Sequence, residues 1–217
     1  MTAAWPTQVE KRLIAGPAGV IEAVLAPPLA APALPKAVIC HPHSLHGGSM
    51  DNKVVTTLER ALRELGLGTL RFNFRGVGAS AGSYDEGRGE GDDLAAVVAE
   101  LRRLDPQAPL WLAGFSFGSY VATRMADALG AAALITIAPP VGRWDFSAFP
   151  RPHCPWCMVI PEADEVVDPQ AMLAHAAALD PAPILLRFPG TSHFFHGQLL
   201  ALREQLQGAL RPLLPAR

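Results

Sequence analysis

The sequence predicts an α/β fold: a doubly wound, mostly parallel sheet, led by an N-terminal antiparallel hairpin and covered by helices on both faces. Three observations predict it. Short apolar runs of strand length alternate with stretches carrying apolar residues at helical spacing, such as Val54, Val55, Leu58, Ala61, Leu62 and Leu65. The strand-length runs are apolar along their length, as strands buried on both faces require. Loops rich in glycine and histidine follow the carboxyl ends of the predicted strands, where open α/β sheets build their sites.

Residues 8–13 and 20–25 are read as the hairpin, with a Gly-Pro-Ala-Gly turn at 16–19. The Pro/Ala-rich stretch 27–35 reads as a surface connector, because no separate core precedes it. A buried strand at 37–40 runs into a His-rich loop at 41–48, and a helix at 51–65 is closed by Gly66. The next strand spans 67–74. A glycine-rich loop is expected to extend through Gly91, with a helix at 92–104 capped by Asp92 and Asp93 and stopped by Asp105-Pro106. Strands are expected at 110–113, 133–138, 158–160 and 184–188, and helices at 119–129, 170–179 and 195–210. Residues 141–155 have no periodicity, and Pro169 sits at the first position of its helix.

The bulk properties bound the rest. Half of the 217 residues are hydrophobic and 18% are charged, which fits one folded domain spanning 1–217. A net charge of −2 without a basic stripe argues against a nucleic-acid partner. No apolar run approaches the ~20 residues that a bilayer span needs, and the first residues lack an apolar signal core, so no membrane role and a cytoplasmic location are expected. Self-association through an edge strand or through the Trp-rich segment around Trp144 and Trp156 is left open.

The chain's chemistry centres on Gly114-Phe115-Ser116-Phe117-Gly118, set between an apolar strand and a helix. In a G-x-S-x-G elbow the serine takes a strained backbone conformation that lifts Oγ clear of the sheet, and glycines stand where side chains would collide with strand and helix. Ser116 is therefore the candidate nucleophile. The N–H of Phe117 is aimed at the oxygen of a bound carbonyl.

These residues, together with H-P-H-S-L-H-G-G-S-M-D-N from His41, R-F-N-F-R-G-V-G-A-S from Arg71, A-D-E-V-V-D from Ala163 and G-T-S-H-F-F from Gly190, resemble the α/β-hydrolase superfamily. They are similar to a small, lidless bacterial subgroup with serine hydrolase activity, and the resemblance covers nearly the whole chain. The chain departs from the subgroup at Ser44, where an apolar residue or proline is usual. The resemblance implies the α/β-hydrolase fold and a Ser-His-Asp triad. His193 follows the last strand, where the superfamily places its base; His196 is the alternative. Of Glu162, Asp164, Glu165 and Asp168, Asp164 is the best-placed orienting acid, since Asp168 reads as a helix cap before Pro169. The resemblance also implies a second oxyanion N–H from the loop after Cys40, given by Leu45 or Ser44.

The expected function is a serine hydrolase cleaving a small carboxylic ester or thioester through an acyl-enzyme, with no cofactor. A non-catalytic binding or sensing protein on the same scaffold, or a peptidase or amidase, is the alternative. The short segment between Pro139 and Pro155 implies an open site without a lid, and Phe115 and Phe194 are candidates for an acyl pocket. Other chemistry is disfavoured. His41, His43 and His46 lack a fourth metal ligand. Cys154 and Cys157 have C-x-x-C spacing but lead into a strand, not a helix. Gly76 and Gly78 lack the third glycine of a dinucleotide fingerprint.

Overall fold

Eight strands form one sheet in the order β1-β2-β4-β3-β5-β6-β7-β8, in a computed structural model that describes residues 5–215. The first four and last two residues of the expected 1–217 domain lie outside that range. Strands β1 (Glu10–Gly16) and β2 (Gly19–Ala26) form the antiparallel hairpin, turned at residues 16–19. β2 pairs antiparallel with β4 (Gly68–Phe72). Every later pairing is parallel, through β3 (Lys36–Cys40), β5 (Leu110–Phe115), β6 (Ala133–Ile137), β7 (Trp156–Pro161) and β8 (Ile184–Phe188).

The two-residue period of a strand divides the apolar runs between two cores. Val38, Cys40, Leu70, Leu112, Leu134 and Met158 face one side. There they pack against α2 (Arg88–Leu104), α3 (Phe117–Met125) and α4 (Pro169–Ala178). Ala37, Ile39, Trp111, Ala113, Ile135 and Cys157 face the other, against α1 (Lys53–Glu64) and α5 (Leu199–Leu210). Burial on both faces is why these strands lack polar alternation.

Three helix boundaries differ from expectation by about a full turn. α2 begins at Arg88, not Asp92, because the buried Glu90 carboxylate accepts the N–H groups of Gly87 (2.8 Å) and Asp85 (2.9 Å) and starts the helix early. Asp93 consequently lies inside the helix and caps nothing; its carboxylate grips the guanidinium and the backbone N–H of Arg75 at 2.9–3.0 Å. α5 begins at Leu199, not Phe195, since Phe195 (φ 54°) and Gly197 (φ 72°) both occupy left-handed backbone. That conformation points Phe195 into the core against Phe188, with ring centroids 5.3 Å apart. α3 ends at Met125, and residues 126–130 are turns closed by Gly130.

The expected cap at α4 is present, and α1 is capped as well. Asn52 Oδ1 accepts the Val54 N–H, and Asp168 Oδ1 accepts the Gln170 N–H, both at 2.9 Å. No described helix is long and apolar enough to cross a membrane.

Candidate active site

Ser116 stands between the end of β5 and the start of α3 with φ 51° and ψ −122°, a conformation that L-residues rarely adopt. Two neighbours hold it there: its N–H donates to the Ile137 carbonyl at 2.8 Å, and its carbonyl accepts the Ser119 N–H at 2.8 Å. A Cβ at Gly114 would lie 2.3 Å from the Gly118 carbonyl oxygen, and one at Gly118 would lie 2.4 Å from that of Cys40. The flanking glycines are thus a packing necessity. The Phe117 N–H, at the first turn of α3, meets no acceptor among the described residues.

His193 lies in the loop after β8. Its Nδ1 is 2.6 Å from Asp164 Oδ2, and Asp164 Oδ1 accepts the N–H groups of Val166 and Val167 at 2.7 Å each. Both side chains are sealed from solvent, His193 at 2% and Asp164 at 0% exposure. With Oδ1 taken by two backbone N–H donors, Oδ2 is left to accept from Nδ1–H, the arrangement that turns Nε2 outward as the acceptor. The imidazole packs between Phe115 and Phe194, each 5.0 Å away. Glu165 Oε2 accepts the backbone N–H of His193 at 3.1 Å.

The remaining acids are committed elsewhere. Glu162 pairs with Arg187, and Asp168 caps α4. His196 is exposed and pairs with no carboxylate among the described residues. Ser116 and His193 line one cavity of about 440 Å³ together with His43, Arg143, Glu165 and Phe194. No hydrogen bond joins Ser116 Oγ to His193 Nε2 among the described residues, a separation common in ligand-free sites. A second groove of about 400 Å³, between α1 and α5, contains no nucleophile beyond Thr56 and Thr57.

The loop after β3 forms the facing wall. His41 is fully buried: its Nε2 accepts the Phe74 N–H at 3.0 Å and its Nδ1 lies 2.6 Å from the Pro42 carbonyl. Burial lowers its pKa to about 4, so it is a neutral clamp between the ends of β3 and β4. His43 sits on Tyr84 (4.7 Å) and Phe117 (5.1 Å), and burial lowers its pKa also. Its Nδ1 accepts the Leu45 N–H at 3.3 Å. The oxyanion donor expected at Leu45 is thereby engaged, and the Leu45 side chain is exposed and does not line the cavity. The His43 N–H has no acceptor among the described residues. No group of three His, Cys, Asp or Glu residues able to hold a metal occurs among the described residues.

Other expectations are corrected. Phe115 is fully buried beneath His193 and does not line the cavity, while Phe194 does. Trp156 is not on an exposed loop; it is buried in β7, its Nε1 donating to Thr136 Oγ1 at 2.8 Å. Cys154 and Cys157 are free and buried, and burial raises both thiols, Cys157 to about 12, opposite to the activation that redox chemistry needs. Sequence reasoning missed Arg143, and it weighed Glu165 only as an alternative orienting acid. Glu165 is marked only by standing next to Asp164, and Arg143 lies in a segment without periodicity.

The family model described as "Serine aminopeptidase, S33" matches residues 34–152, a span that contains the elbow. The chain belongs to this family of α/β-hydrolases. It is similar over 99% of its length to a serine hydrolase without lid from Xanthomonas campestris, at 50% identity, 99% of that chain and a TM-score of 0.95. An α/β serine hydrolase homologue from Coxiella burnetii is 44% identical over 95% of this chain and 100% of that one, with a TM-score of 0.92. An uncharacterized protein of Rickettsia prowazekii is 39% identical over 137 residues, 61% of this chain and 57% of its own length. The chain is a hydrolase of the α/β serine hydrolase group.

Proposed function

We propose that the protein cleaves small carboxylic esters or thioesters through an acyl-enzyme. The observation that carries this reading is the buried His193–Asp164 pair opening onto the same cavity as Ser116 on its strained elbow. In this reading Ser116 Oγ attacks the carbonyl carbon while His193 Nε2 takes its proton. Asp164 holds the imidazole in the productive tautomer and stabilises the imidazolium. The tetrahedral oxyanion is held by the Phe117 N–H and by a second N–H from the loop after β3. His43 is the better donor there, because it lines the cavity where Ser44 and Leu45 do not and the Leu45 N–H is bonded to the His43 ring. The protonated His193 then releases the alcohol or thiol, and water repeats the sequence to free the acid.

Residues 138–155, between β6 and β7, carry one short 3-10 turn at Phe146–Ala148, which supports a single domain with an open, lidless site. Such a site suits small or flexible substrates. The family description raises an aminopeptidase as the second reading. An aminopeptidase needs free carboxylates to hold the substrate ammonium. The cavity lining carries a single carboxylate, Glu165, with one oxygen already held by the His193 N–H, and Arg143 brings a charge like that of the ammonium. Ester cleavage is therefore favoured. A cytoplasmic location fits the three free thiols.

The test is a panel of 4-nitrophenyl esters, acyl thioesters and aminoacyl anilides, assayed with wild type and with Ser116→Ala. Ester or thioester turnover that falls about ten-thousandfold or more in the variant supports the reading. Turnover that survives the substitution contradicts it, and preference for the anilides would favour the peptidase.

A further inference from the structure

We propose that Arg143 selects for esters that carry a carboxylate, so that the substrate class is a small acidic ester. The inference rests on the hydrolase reading of the same cavity and adds what the cavity prefers. Arg143 lines the cavity that holds Ser116 and His193. Its guanidinium has neither a carboxylate nor a carbonyl acceptor among the described residues. Several other arginines of this chain are engaged within the protein: Arg71, Arg75 and Arg187 pair with carboxylates, and Arg102 and Arg124 bond to carbonyls.

The backbone beneath Arg143 is fixed. The N–H groups of Arg143 and Trp144 both donate to the Pro140 carbonyl, at 3.1 and 3.0 Å, in a tight turn with Gly142 at φ 83°. The next side chain, Trp144, is locked over Tyr120 (4.8 Å) and Phe117 (5.1 Å). The charge is therefore tethered to the cavity rim by a rigid turn and is still free to reach a ligand. Glu165 also lines the cavity, but its Oε2 is held by the His193 N–H. Across the cavity Asn52 has its Oδ1 engaged by the Val54 N–H, which leaves its amide N–H groups to donate. Glu165 keeps its charge and a free Oε1, while Arg143 and Asn52 offer free donors at this rim, Arg143 with a full positive charge that no carboxylate pairs with among the described residues. A guanidinium meets a carboxylate through two parallel N–H bonds, the pairing that best uses its planar fork.

The experiment compares kcat/KM for mono-4-nitrophenyl glutarate, charged on the acyl side, with 4-nitrophenyl butyrate. A second arm compares 4-acetoxybenzoate, charged on the leaving group, with phenyl acetate. Wild type is expected to prefer the charged member of at least one pair. That preference ratio should fall about tenfold or more in Arg143→Gln and recover in part in Arg143→Lys. Ratios that are equal in wild type and Arg143→Gln in both arms overturn the inference, while turnover that still depends on Ser116 leaves the hydrolase reading intact. Calorimetric titration of Ser116→Ala with the same esters reads binding without turnover. Tighter binding of the charged ester that is lost in the Ser116→Ala, Arg143→Gln double variant supports the inference even without catalysis. Equal binding of charged and neutral esters overturns it.

Discussion

Asp164 spends both carboxylate oxygens, Oδ1 on the Val166 and Val167 N–H groups and Oδ2 on His193 Nδ1. This fixes the carboxylate and, through it, the tautomer that leaves Nε2 able to accept a proton. Asp164→Asn presents an amide that can donate to the imidazole, favouring the wrong tautomer. We expect kcat to fall about ten-thousandfold with the folded state retained, read by steady-state kinetics beside circular dichroism. An Asp164→Asn enzyme of near wild-type rate would remove Asp164 from the mechanism. Glu165 acts one step further out, on the His193 backbone N–H. It is a positioning residue, and Glu165→Gln keeps an acceptor there. The expected loss is about tenfold and falls on kcat with KM little changed, because the substitution moves the imidazole and not the substrate contacts. An unchanged kcat would assign Glu165 a purely structural role.

At the scale of elements, the elbow and the glycine-rich loop supply the supports. Gly118→Ala forces a Cβ against the Cys40 carbonyl, backbone that cannot swing aside, so β3 and α3 must separate. A destabilisation of roughly 2–4 kcal/mol is expected in urea unfolding, with activity lost in the molecules that stay folded. Arg75 and Asp93 tie the glycine-rich loop to α2, with Asp93 only 1% exposed. Asp93→Ala leaves Arg75 without its partner and should cost about 3–5 kcal/mol. The elements themselves were legible in sequence because apolar runs and helical spacing are local signals. Their starts were less so. α2 is advanced by a carboxylate, Glu90, that folds back on two N–H groups, and α5 is delayed by the left-handed Phe195, which only the core against Phe188 stabilises. The site divides in the same way. Ser116, Asp164 and His193 announce themselves by motif and order. The engagement of the Leu45 N–H by the His43 ring is a cap within one loop that no periodicity marks, and the position of Arg143 on the cavity comes from chain segments meeting across the sheet.

For the whole molecule, one sheet between two apolar cores brings the carboxyl ends of β3, β5, β7 and β8 to one edge, where the cavity opens. His41 joins this frame, and its folded pKa of about 4 lies below the ordinary 6.5. Above pH 6.5 both folded and unfolded chains hold it neutral. Between 6.5 and 4 the unfolded chain takes up a proton that the folded chain refuses. Stability should therefore decline as pH falls through that window, by up to about 3 kcal/mol from this residue. Denaturation midpoints at pH 7 and pH 5 should differ less in His41→Gln than in wild type. An equal pH dependence would show that other groups carry it. In the proposed mechanism this frame activates Ser116. The most direct measurement is labelling of the native protein with a fluorophosphonate, followed by mass spectrometry of the modified peptide, in wild type, His193→Ala and Ser116→Ala. A covalent adduct on Ser116 that forms rapidly in wild type, is greatly slowed in His193→Ala and is absent in Ser116→Ala is the predicted result. A folded wild-type protein that takes no label at Ser116, or labels equally fast without His193, would contradict it.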